Sequence, residues 1–435
     1  MRRAASVNNS YCELEYNEDA TVYACALADQ PGFAFLDSRK RHKANGRYDI
    51  ICALPAERFT LTDDDAGGWM GRIEDCLRHF GAGAIAIGHL DYDSAAATLG
   101  VTGRSFQPAS AAIYRWHVLQ DHGLKRSWLV SDAGVAHEAL QHIRQRLLSP
   151  PKSSTGFTLL TPFTPECPRP DYIAAIKRVK DYIGQGDCYQ VNFAQRFVST
   201  FQGDCFAAFL ELRDVAPGDF SAFLRPSPAH SILSMSPERF LSISNREVVT
   251  QPIKGTRPRH PDPKEDQRIA EELRLSIKDR AENVMITDLL RNDLGRYCEP
   301  GSVVTNELCA LHHYDNVHHL VSTVSGVLKQ ETSPGAILLG CSPGGSITGA
   351  PKKRATEIIQ ELETEPRGSY CGSVFAIWPD GRLQSSIAIR TVEALDDKLY
   401  CWGGGGIVYD SEPDAEYQET LDKVGPFMRT LEGMT

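Results

Sequence analysis

The sequence contains no run of about 18 apolar residues, the length that a membrane-crossing helix needs. Its first residues, Met1 to Ser6, include two arginines but no following apolar segment, and Glu13 and Glu15 come soon after, so a secretory leader is not expected. No dense stripe of lysine and arginine with interleaved aromatics occurs, and the formal net charge is −10. We therefore expect a cytoplasmic protein that binds neither a membrane nor nucleic acid.

Closely spaced cysteines are also missing. The twelve cysteines lie singly between Cys12 and Cys401, without a C-x-x-C pair, whereas small secreted domains use tight disulfide frameworks. We expect reduced and mostly buried thiols. The adjacent histidines His312-His313 and His318-His319 lack the spacing of zinc ligands, so zinc is not expected either.

What is present is a globular composition. A chain of 435 residues with 42% hydrophobic residues can bury one large core or two ordinary ones. Residues 148–170 are rich in proline, serine and threonine, which predicts a boundary between an N-terminal region at 1–150 and a catalytic region at 165–432.

The periodicity favours an α+β fold rather than the regular alternation of a doubly wound sheet. Helices are predicted at 137–148, at 171–184 and over a long charged region at 265–297. Strands are predicted at 47–54, 84–88, 189–193, 385–392 and 399–408, the last interrupted by four consecutive glycines at 403–406.

Carboxylates form the first candidate site. Helical spacing stacks Glu282, Ile286, Leu289 and Asp293 on one stripe, and a buried, unpaired Glu282 would be costly without a cation. A second acidic cluster, residues 412–420, opens the last predicted helix, where the helix dipole alone favours acids. Glutamates from two helices would also suit Mg²⁺, which keeps several waters.

Anion-binding features form the second candidate site. Residues 342–352 are a glycine-rich loop entering a helix, and free amides there would hold an anion. The loop lacks the Lys-Ser/Thr of a nucleotide-binding loop. If residues 385–392 are one strand, Arg390 shares a face with Ser386 and Ala388, where its guanidinium suits a ligand carboxylate. These residues indicate a pocket for a small polyanion and a metal-assisted reaction.

The order and spacing of the motifs from about residue 170 to 430 resemble the signature series of chorismate-utilising enzymes. The matching segments are Tyr189-Gln190-Val191-Asn192-Phe193, Ser236-Pro237-Glu238-Arg239-Phe240, Pro252-Ile253-Lys254-Gly255-Thr256, Asp279-Arg280-Ala281-Glu282-Asn283, His319-Leu320-Val321-Ser322, Gly349-Ala350-Pro351-Lys352 and Gly406-Ile407-Val408. The first 150 residues match less clearly, through Phe35-Leu36-Asp37-Ser38 and Arg47-Tyr48-Asp49-Ile50.

The resemblance implies a layered α/β/β/α fold with a central active-site cleft. It also implies roles for individual residues. Glu282 and Glu419 would hold Mg²⁺ against the ring carboxylate of chorismate, and Arg390 and Tyr370 would hold the enolpyruvyl carboxylate. The remaining residues that would lie along the ring are Ser346, His319 and Gly406.

Two positions separate activities within the family. Isochorismate and salicylate synthases resemble one another in a lysine where this chain has Gln190, and anthranilate synthases have alanine where it has Lys254. The Pro-Ile-Lys-Gly-Thr form is similar to that of aminodeoxychorismate synthases, which lead to 4-aminobenzoate and folate. By this resemblance, Lys254 is the nucleophile and Glu238 the acid that protonates the departing hydroxyl, so burial should lower the pKa of Lys254 and raise that of Glu238.

The resemblance also implies a partner. The chain has no Gly-x-Cys-x-Gly elbow, so a separate glutamine amidotransferase subunit would supply ammonia. The alternatives are an anthranilate synthase large subunit and a non-catalytic, chorismate-binding regulatory subunit. Phe35-Leu36-Asp37-Ser38 departs from the Leu-Leu-Glu-Ser form of tryptophan-inhibited anthranilate synthases, so feedback inhibition is not expected.

Overall fold

The computed structural model describes residues 9–38, 47–62, 65–149, 156–216, 218–315 and 317–434. Residues 1–6, where no secretory leader is expected, and part of the predicted boundary, 150–155, lie outside these residues. The described helices are α1 Thr21–Leu27, α2 Ala66–Arg78, α3 Tyr92–Ala97, α4 His137–Leu148, α5 Arg169–Gly184, α6 Cys205–Val215, α7 Pro263–Leu275, α8 Ile277–Gly295, α9 Pro334–Cys341, α10 Lys352–Leu362 and α11 Pro413–Glu432, with a 3₁₀ turn at Gly345–Ile347.

The strands alternate irregularly with these helices, as an α+β fold requires. They are β1 Asn9–Leu14, β2 Ala34–Asp37, β3 Tyr48–Cys52, β4 Glu57–Thr60, β5 Ile85–Leu90, β6 Ser110–Tyr114, β7 Trp116–Asp121, β8 Arg126–Asp132, β9 Phe157–Leu159, β10 Thr164–Pro165, β11 Gln190–Gly203, β12 Phe220–Ser227, β13 His230–Ser236, β14 Arg239–Ser244, β15 Glu247–Thr250, β16 Ile253–Pro258, β17 Val304–His313, β18 Val317–Val327, β19 Gly349–Ala350, β20 Ser373–Ile377, β21 Leu383–Ile387, β22 Thr391–Leu395 and β23 Lys398–Ile407.

The strands form two large antiparallel sheets. The first has the order β1-β8-β7-β3-β2-β12-β13-β22-β23-β11-β10, and β9 and β19 also pair with β11. The second has the order β16-β18-β15-β14-β21-β20-β5-β6-β4, and β17 also pairs with β18. Antiparallel pairing suits the short connections and the alternating burial of these strands.

Each sheet is covered by helices on one side and faces the other sheet on the opposite side. In β13, Ile232 belongs to a cluster shared by the two sheets, whereas Leu233 and Met235 pack with Phe206 and Phe427 of the helices. This two-residue alternation is what a strand buried on both faces requires. The predicted α/β/β/α layering is confirmed.

The N-terminal region is hydrogen-bonded into both sheets. Phe35 of β2 pairs with Phe223 of β12 in the first sheet, and Gly88 of β5 pairs with Phe375 of β20 in the second. The division into regions 1–150 and 165–432 stays a prediction, because strands from both regions lie in each sheet. Leu36, Asp37 and Ser38 line a cavity of about 540 Å³ between the sheets.

Three predicted elements differ from the structure. The charged region 265–297 is two helices, because the chain turns at Ser276, whose hydroxyl caps α8 by accepting from the Asp279 amide. The four glycines at 403–406 do not interrupt β23, which pairs with β11 through all of them. Residues 385–392 are not one strand, because the chain leaves the second sheet at Ile387 and enters the first at Thr391.

The cysteines agree with the expectation of mostly buried thiols. All twelve cysteines are free, and nine of them are buried. No helix in the described parts of the chain is long and apolar enough to cross a membrane.

Candidate active site

Two connections that cross between the sheets form the floor of the candidate site. Glu238 lies where the chain passes from β13 to β14, and Arg390 lies where it returns from β21 to β22. The connections run side by side, because the Ile387 amide donates to the Glu238 carbonyl (3.1 Å) and the Met235 amide donates to the Arg390 carbonyl (3.0 Å). Two residues 152 positions apart in the sequence thereby become neighbours in one cleft.

The prediction that Arg390 shares a strand face with Ser386 is wrong. Arg390 has φ +51°, which is left-handed backbone, because the chain is changing sheets at this point. Its partly buried guanidinium has no hydrogen bond or ion pair with any residue that the structure describes, and burial lowers its pKa. A cation without a partner in such a position is suited to an anionic ligand.

Lys254 is held on the edge of the second sheet by a bulge. Gly255, with φ +73°, leaves no room for a Cβ, which would lie 2.9 Å from Leu273 and 3.0 Å from Asp279. The register of β16 on β18 shifts at this glycine, as bulges commonly do beside functional sites. The Lys254 Nζ donates to the Ser346 carbonyl (3.1 Å) and lies 2.9 Å from Glu282 Oε1.

Glu238 is the buried acid of the site, with 5% of its surface exposed. Burial raises its pKa to about 7, although the hydrogen bond from the Ser346 hydroxyl and the charge of Lys254 oppose the rise. The Ser346 Oγ donates to Glu238 Oε1 at 2.7 Å. A carboxyl group in this state carries a proton near neutral pH and can give it to a leaving group.

Gln190, Glu282 and Gly406 meet at the wall opposite Lys254. The Gln190 Nε2 donates to Glu282 Oε1 at 2.6 Å. Gln190 Oε1 is buried with no hydrogen-bond partner among the described residues, which leaves one acceptor for a ligand or a water. A Cβ on Gly406 would lie 2.1 Å from Gln190 Nε2 and 3.2 Å from Glu282 Oε1, so only glycine leaves this wall open.

His319 lies near Arg390, and Tyr370 lies against β23. Burial and the positive charge of Arg390 lower the pKa of His319 to about 4, so its imidazole is neutral, and its Nδ1 lies 2.8 Å from the Thr256 hydroxyl. The Tyr370 ring stacks on Trp402 with centroids 5.9 Å apart. Its hydroxyl lies 3.0 Å from the position of a Cβ on Gly404, so it reaches the strand that carries Gly406.

The acidic side of the site contains three glutamates, of which the sequence analysis selected two. Burial alone would raise the pKa of Glu282, but Lys254, the Gln190 hydrogen bond and the charge of Lys423 together outweigh burial, and the pKa lies below its ordinary value. Glu419 of α11 pairs with Lys423 at 2.7 Å. Glu416 is buried, and its pKa is raised by burial and by the charge of Glu419. Its position three residues before Glu419, on the same side of the helix, was the available signal.

These carboxylates fit a hard cation by their chemistry. A Cβ on Gly405 would lie 3.0 Å from Glu416 and 3.3 Å from Glu419, and the charge of Lys423 also reaches Glu282. No group of three or more histidine, cysteine or acidic side chains is already arranged around a metal position within the described ranges. Carboxylate oxygens without nitrogen or sulfur ligands suit an ion such as Mg²⁺ better than zinc, although Lys254 and Lys423 already pair with Glu282 and Glu419.

The glycine-rich loop uses two of its amides within its own turn, those of Ile347 and Thr348, and its anion-binding role stays a prediction. Lys352 is paired with Asp293 (2.6 Å) and the Cys341 carbonyl (2.8 Å). The loop also presents Ser346 to both Lys254 and Glu238. The structure thus brings together Lys254, Glu238, Ser346, Glu282, Gln190 and Gly406 through direct contacts, with Arg390, His319 and Tyr370 beside them.

The fold and the sequence were compared with known proteins. The model of a family described as chorismate binding enzyme matches residues 33–429. The chain belongs to this family. Chorismate binding is therefore the property that this chain shares with the family.

Individual relatives extend the comparison. The chain is 39% identical to aminodeoxychorismate synthase component 1 of Klebsiella aerogenes over 95% of this chain and 96% of the relative. It is 45% identical to the Escherichia coli protein of that name over 74% of this chain and 70% of the relative. The structure of anthranilate synthase component I from Streptococcus pneumoniae superimposes with a TM-score of 0.78 at 28% identity, covering 89% of this chain and 93% of that one.

Proposed function

We propose that the chain is the chorismate-aminating component of an aminodeoxychorismate synthase, which converts chorismate and ammonia to 4-amino-4-deoxychorismate. The observation that carries the proposal is the pairing of a lysine with a buried acid across one serine. Lys254 contacts the Ser346 carbonyl, and the Ser346 hydroxyl contacts Glu238. Similarity to component 1 enzymes over almost the whole chain supports the same activity.

The proposed chemistry has two steps because direct displacement of the C4 hydroxyl is difficult. In the first, the neutral Lys254 amine forms a bond to C2 of chorismate, both conjugated ring double bonds shift by one position, and the C4 hydroxyl leaves as water with the proton of Glu238. In the second, ammonia bonds to C4, both double bonds shift back and the Lys254 amine leaves. The sum is chorismate plus ammonia giving 4-amino-4-deoxychorismate plus water.

The pKa of Glu238, raised to about 7, supports its role in the first step. The acid is protonated below that pH, so it can protonate the hydroxyl as the C–O bond breaks. Its ionised form is the base that accepts the excess proton of the amine that forms in the second step. One residue thus returns to its starting state in each turnover.

The pocket residues suit the two carboxylates of chorismate. Arg390 would bind the enolpyruvyl carboxylate through both guanidinium nitrogens, with Tyr370 beside it. Glu282 and Glu419, with Glu416 behind them, would hold Mg²⁺, which when bound neutralises the ring carboxylate and fixes its position. His319, Ser346, Gly406 and Gln190 would border the ring, with Gln190 offering its free Oε1.

The proposal includes a partner and a compartment. Ammonia would come from a separate glutamine amidotransferase subunit, since component 1 enzymes are named as one part of a larger synthase. Free ammonia would replace this subunit in the test tube. The free cysteines suit the reducing conditions of the cytoplasm, where we place the reaction as a step toward 4-aminobenzoate and folate.

Product identity tests the proposal against the alternatives. The protein is incubated with chorismate, Mg²⁺ and ammonia, and the lyase that removes pyruvate is then added. We expect 4-aminobenzoate, formed only after the lyase is added. Fluorescent anthranilate without the lyase would instead show an anthranilate synthase, a class that is also similar to part of this chain. Unchanged chorismate with measurable binding would show the non-catalytic alternative.

A further inference from the structure

Arg367 is a charged residue behind the candidate site that has no role in the reaction as proposed. Only 1% of its surface is exposed. Its Nε and Nη2 donate to both oxygens of Glu363, at 2.9 and 2.6 Å, in a bidentate pair. Its guanidinium lies 4.5 Å from the centre of the Tyr92 ring. These contacts neutralise and enclose the charge, but they do not use all of its donors.

The remaining donors of Arg367 reach two backbone carbonyls at the edge of the site. Nη1 donates to the Ile347 carbonyl at 3.0 Å, and Nη2 donates to the Asn192 carbonyl. The Asn192 side chain donates to the same Ile347 carbonyl at 3.0 Å. Ile347 directly follows Ser346, so the turn meets β11 at its own end. There the Ile347 carbonyl accepts two hydrogen bonds, and the next carbonyl, that of Thr348, accepts from the Asn192 amide at 2.8 Å.

The backbone of the turn holds it only weakly, because its two backbone hydrogen bonds are long, although the Thr348 hydroxyl also donates to the Gly344 carbonyl at 2.9 Å. The Ile347 amide lies 3.3 Å from the Gly344 carbonyl, and the Thr348 amide lies 3.4 Å from the Gly345 carbonyl. A 3₁₀ turn has poor hydrogen-bond geometry in general. Both functional contacts of Ser346, from Lys254 to its carbonyl and from its hydroxyl to Glu238, therefore require the turn to be fixed from behind.

We propose that Arg367 is a positioning residue, which fixes the Ser346 turn and through it the distance between the acid Glu238 and the nucleophile Lys254. The proposal rests on the proposed function. Arginine suits this role because its planar fork binds Glu363 on one side while its outer nitrogens reach two carbonyls that diverge. A lysine would keep the charge, but one ammonium cannot span Glu363, Ile347 and Asn192 together.

The chain offers a matched control at Arg196. This arginine is also buried and enclosed by aromatic rings, and it pairs with two glutamates, Glu166 and Glu365, where Arg367 pairs with one. It is on β11, as Asn192 is, but it makes no contact with the Ser346 turn. Arg196→Lys therefore reproduces the loss of a buried fork without loosening the turn.

The test compares Arg367→Lys, Asn192→Ala and Arg196→Lys in two measurements. The first is hydrogen exchange of peptides that cover residues 343–349, which does not depend on catalysis. The second is the pH dependence of kcat with chorismate and ammonia. Asn192→Ala removes the other donor to the Ile347 carbonyl without disturbing the buried pair, so it decides the matter if Arg367→Lys fails to fold.

We expect faster exchange of the turn and a fall in kcat of at least about tenfold in Arg367→Lys, with a smaller change in KM. The Ser346 hydrogen bond lowers the pKa of Glu238, so loosening it moves the falling limb of the kcat profile to higher pH. In Asn192→Ala, the exchange rate and the pH of the falling limb should change in the same direction but by less. In Arg196→Lys, neither quantity should change.

The positioning role would be overturned if Arg196→Lys changed the exchange of the turn and the pH profile of kcat as much as Arg367→Lys does. It would also be overturned if the exchange of the turn were unchanged in both Arg367→Lys and Asn192→Ala. The two proposals fail separately. If the wild-type protein makes no 4-amino product, the proposed function is wrong, and the exchange measurement still decides whether Arg367 fixes the turn. If the product forms but the pH limb does not move in either variant, only the positioning role is wrong.

Discussion

Lys254 lies against an acceptor and a counter-ion at once. Its Nζ contacts the Ser346 carbonyl and the Glu282 carboxylate, an environment that suits an ammonium ion. An amine that attacks carbon must first lose its proton and leave that pairing. The bulge at Gly255 keeps the Lys254 side chain within reach of Glu282 and of the turn that contacts Glu238. The proton transfers and the attack on carbon can therefore take place between neighbouring groups.

We expect Lys254→Ala to lower ammonia-dependent turnover by orders of magnitude while chorismate still binds. The reason is that the substitution removes the covalent step, whereas Arg390 and the acidic wall bind the two carboxylates. Steady-state kinetics and calorimetric titration with chorismate measure the two effects. Lys398→Ala, an exposed lysine at the start of β23, is the control and should behave as wild type.

A covalent role also predicts an adduct. Chorismate supplied without ammonia should leave the peptide that contains Lys254 heavier by the mass of chorismate minus water. Glu238→Gln should suppress this adduct, because an amide cannot protonate the departing hydroxyl. Near-normal turnover of Lys254→Ala, with no adduct by mass spectrometry, would mean that Lys254 is not a nucleophile but an ordinary charged residue at the end of a strand.

Arg390→Lys should raise KM for chorismate by at least about tenfold, because an ammonium cannot form the two parallel hydrogen bonds of a guanidinium to a carboxylate. Arg382, an exposed arginine paired with Asp380, provides the control substitution Arg382→Lys. An unchanged KM in Arg390→Lys would mean that this residue does not bind the substrate.

Glu282→Gln and Glu419→Gln should each abolish Mg²⁺-dependent turnover without unfolding the protein. Each change removes one anionic ligand from a site that makes few protein contacts. Activity is measured across a magnesium titration and in the presence of a chelator. Glu412→Gln, at an exposed position whose side chain makes no capping bond, is the control. Full activity of the wild type in the chelator would exclude the metal.

The strand β23 shows how one element serves two purposes. Gly403 and Gly405 face α11, whereas Gly404 and Gly406 face the cleft, as the two-residue period requires. A Cβ on Gly403 would lie 2.5 Å from the Thr420 carbonyl, which is backbone. A Cβ on Gly406 would meet the end of the Gln190 side chain, which can move.

The two faces therefore predict different defects. Gly406→Ala should lower turnover with little change in melting temperature, because Gln190 is displaced toward Glu282. Gly403→Ala should lower the melting temperature, because the helix and the strand must separate. Thermal unfolding and kinetics of the two variants check this pair, and the reverse assignment of defects would contradict the orientation of the strand.

The resemblance of the sequence predicted the layered architecture, and its motifs named Lys254, Glu238 and the other residues that contact one another in the cleft, but not Glu416. It did not predict where the chain changes sheets. The alternation of Ser386, Ala388 and Arg390 resembles that of one strand. The polarity of side chains gives no information on backbone conformation, so the left-handed backbone of Arg390 could not be predicted from it. Glu416 was missed for a related reason: acids at the start of a helix are explained by its dipole until burial shows otherwise.

At the scale of the molecule, the N-terminal region contacts the segment at 367–368 directly. Asp93 of α3 accepts a hydrogen bond from the Gly368 amide at 3.0 Å and one from the Arg367 amide at 3.4 Å. The N-terminal region thereby holds the segment that carries both Arg367 and Tyr370. Loss of this contact would affect global stability and the site together.

Asp93→Asn tests that coupling through the pH dependence of stability. Burial and the charge of Asp91 raise the pKa of Asp93 to about 7. In the unfolded chain the group ionises near pH 4. Between about pH 4 and 7, ionisation of this group therefore stabilises the unfolded state but not the folded state. The favourable contribution of the protonated group is complete below pH 4 and is lost as the pH rises through about 7.

An asparagine can still accept from the Gly368 amide but does not titrate. We therefore expect the free energy of unfolding of Asp93→Asn, relative to wild type, to improve by about 1–3 kcal/mol between pH 5 and 8. Urea unfolding at several pH values measures this, with the exposed Asp288→Asn as the control. A relative stability that does not change with pH would mean that Asp93 is already ionised in the folded protein and that its contacts with the 367–368 segment are those of a carboxylate.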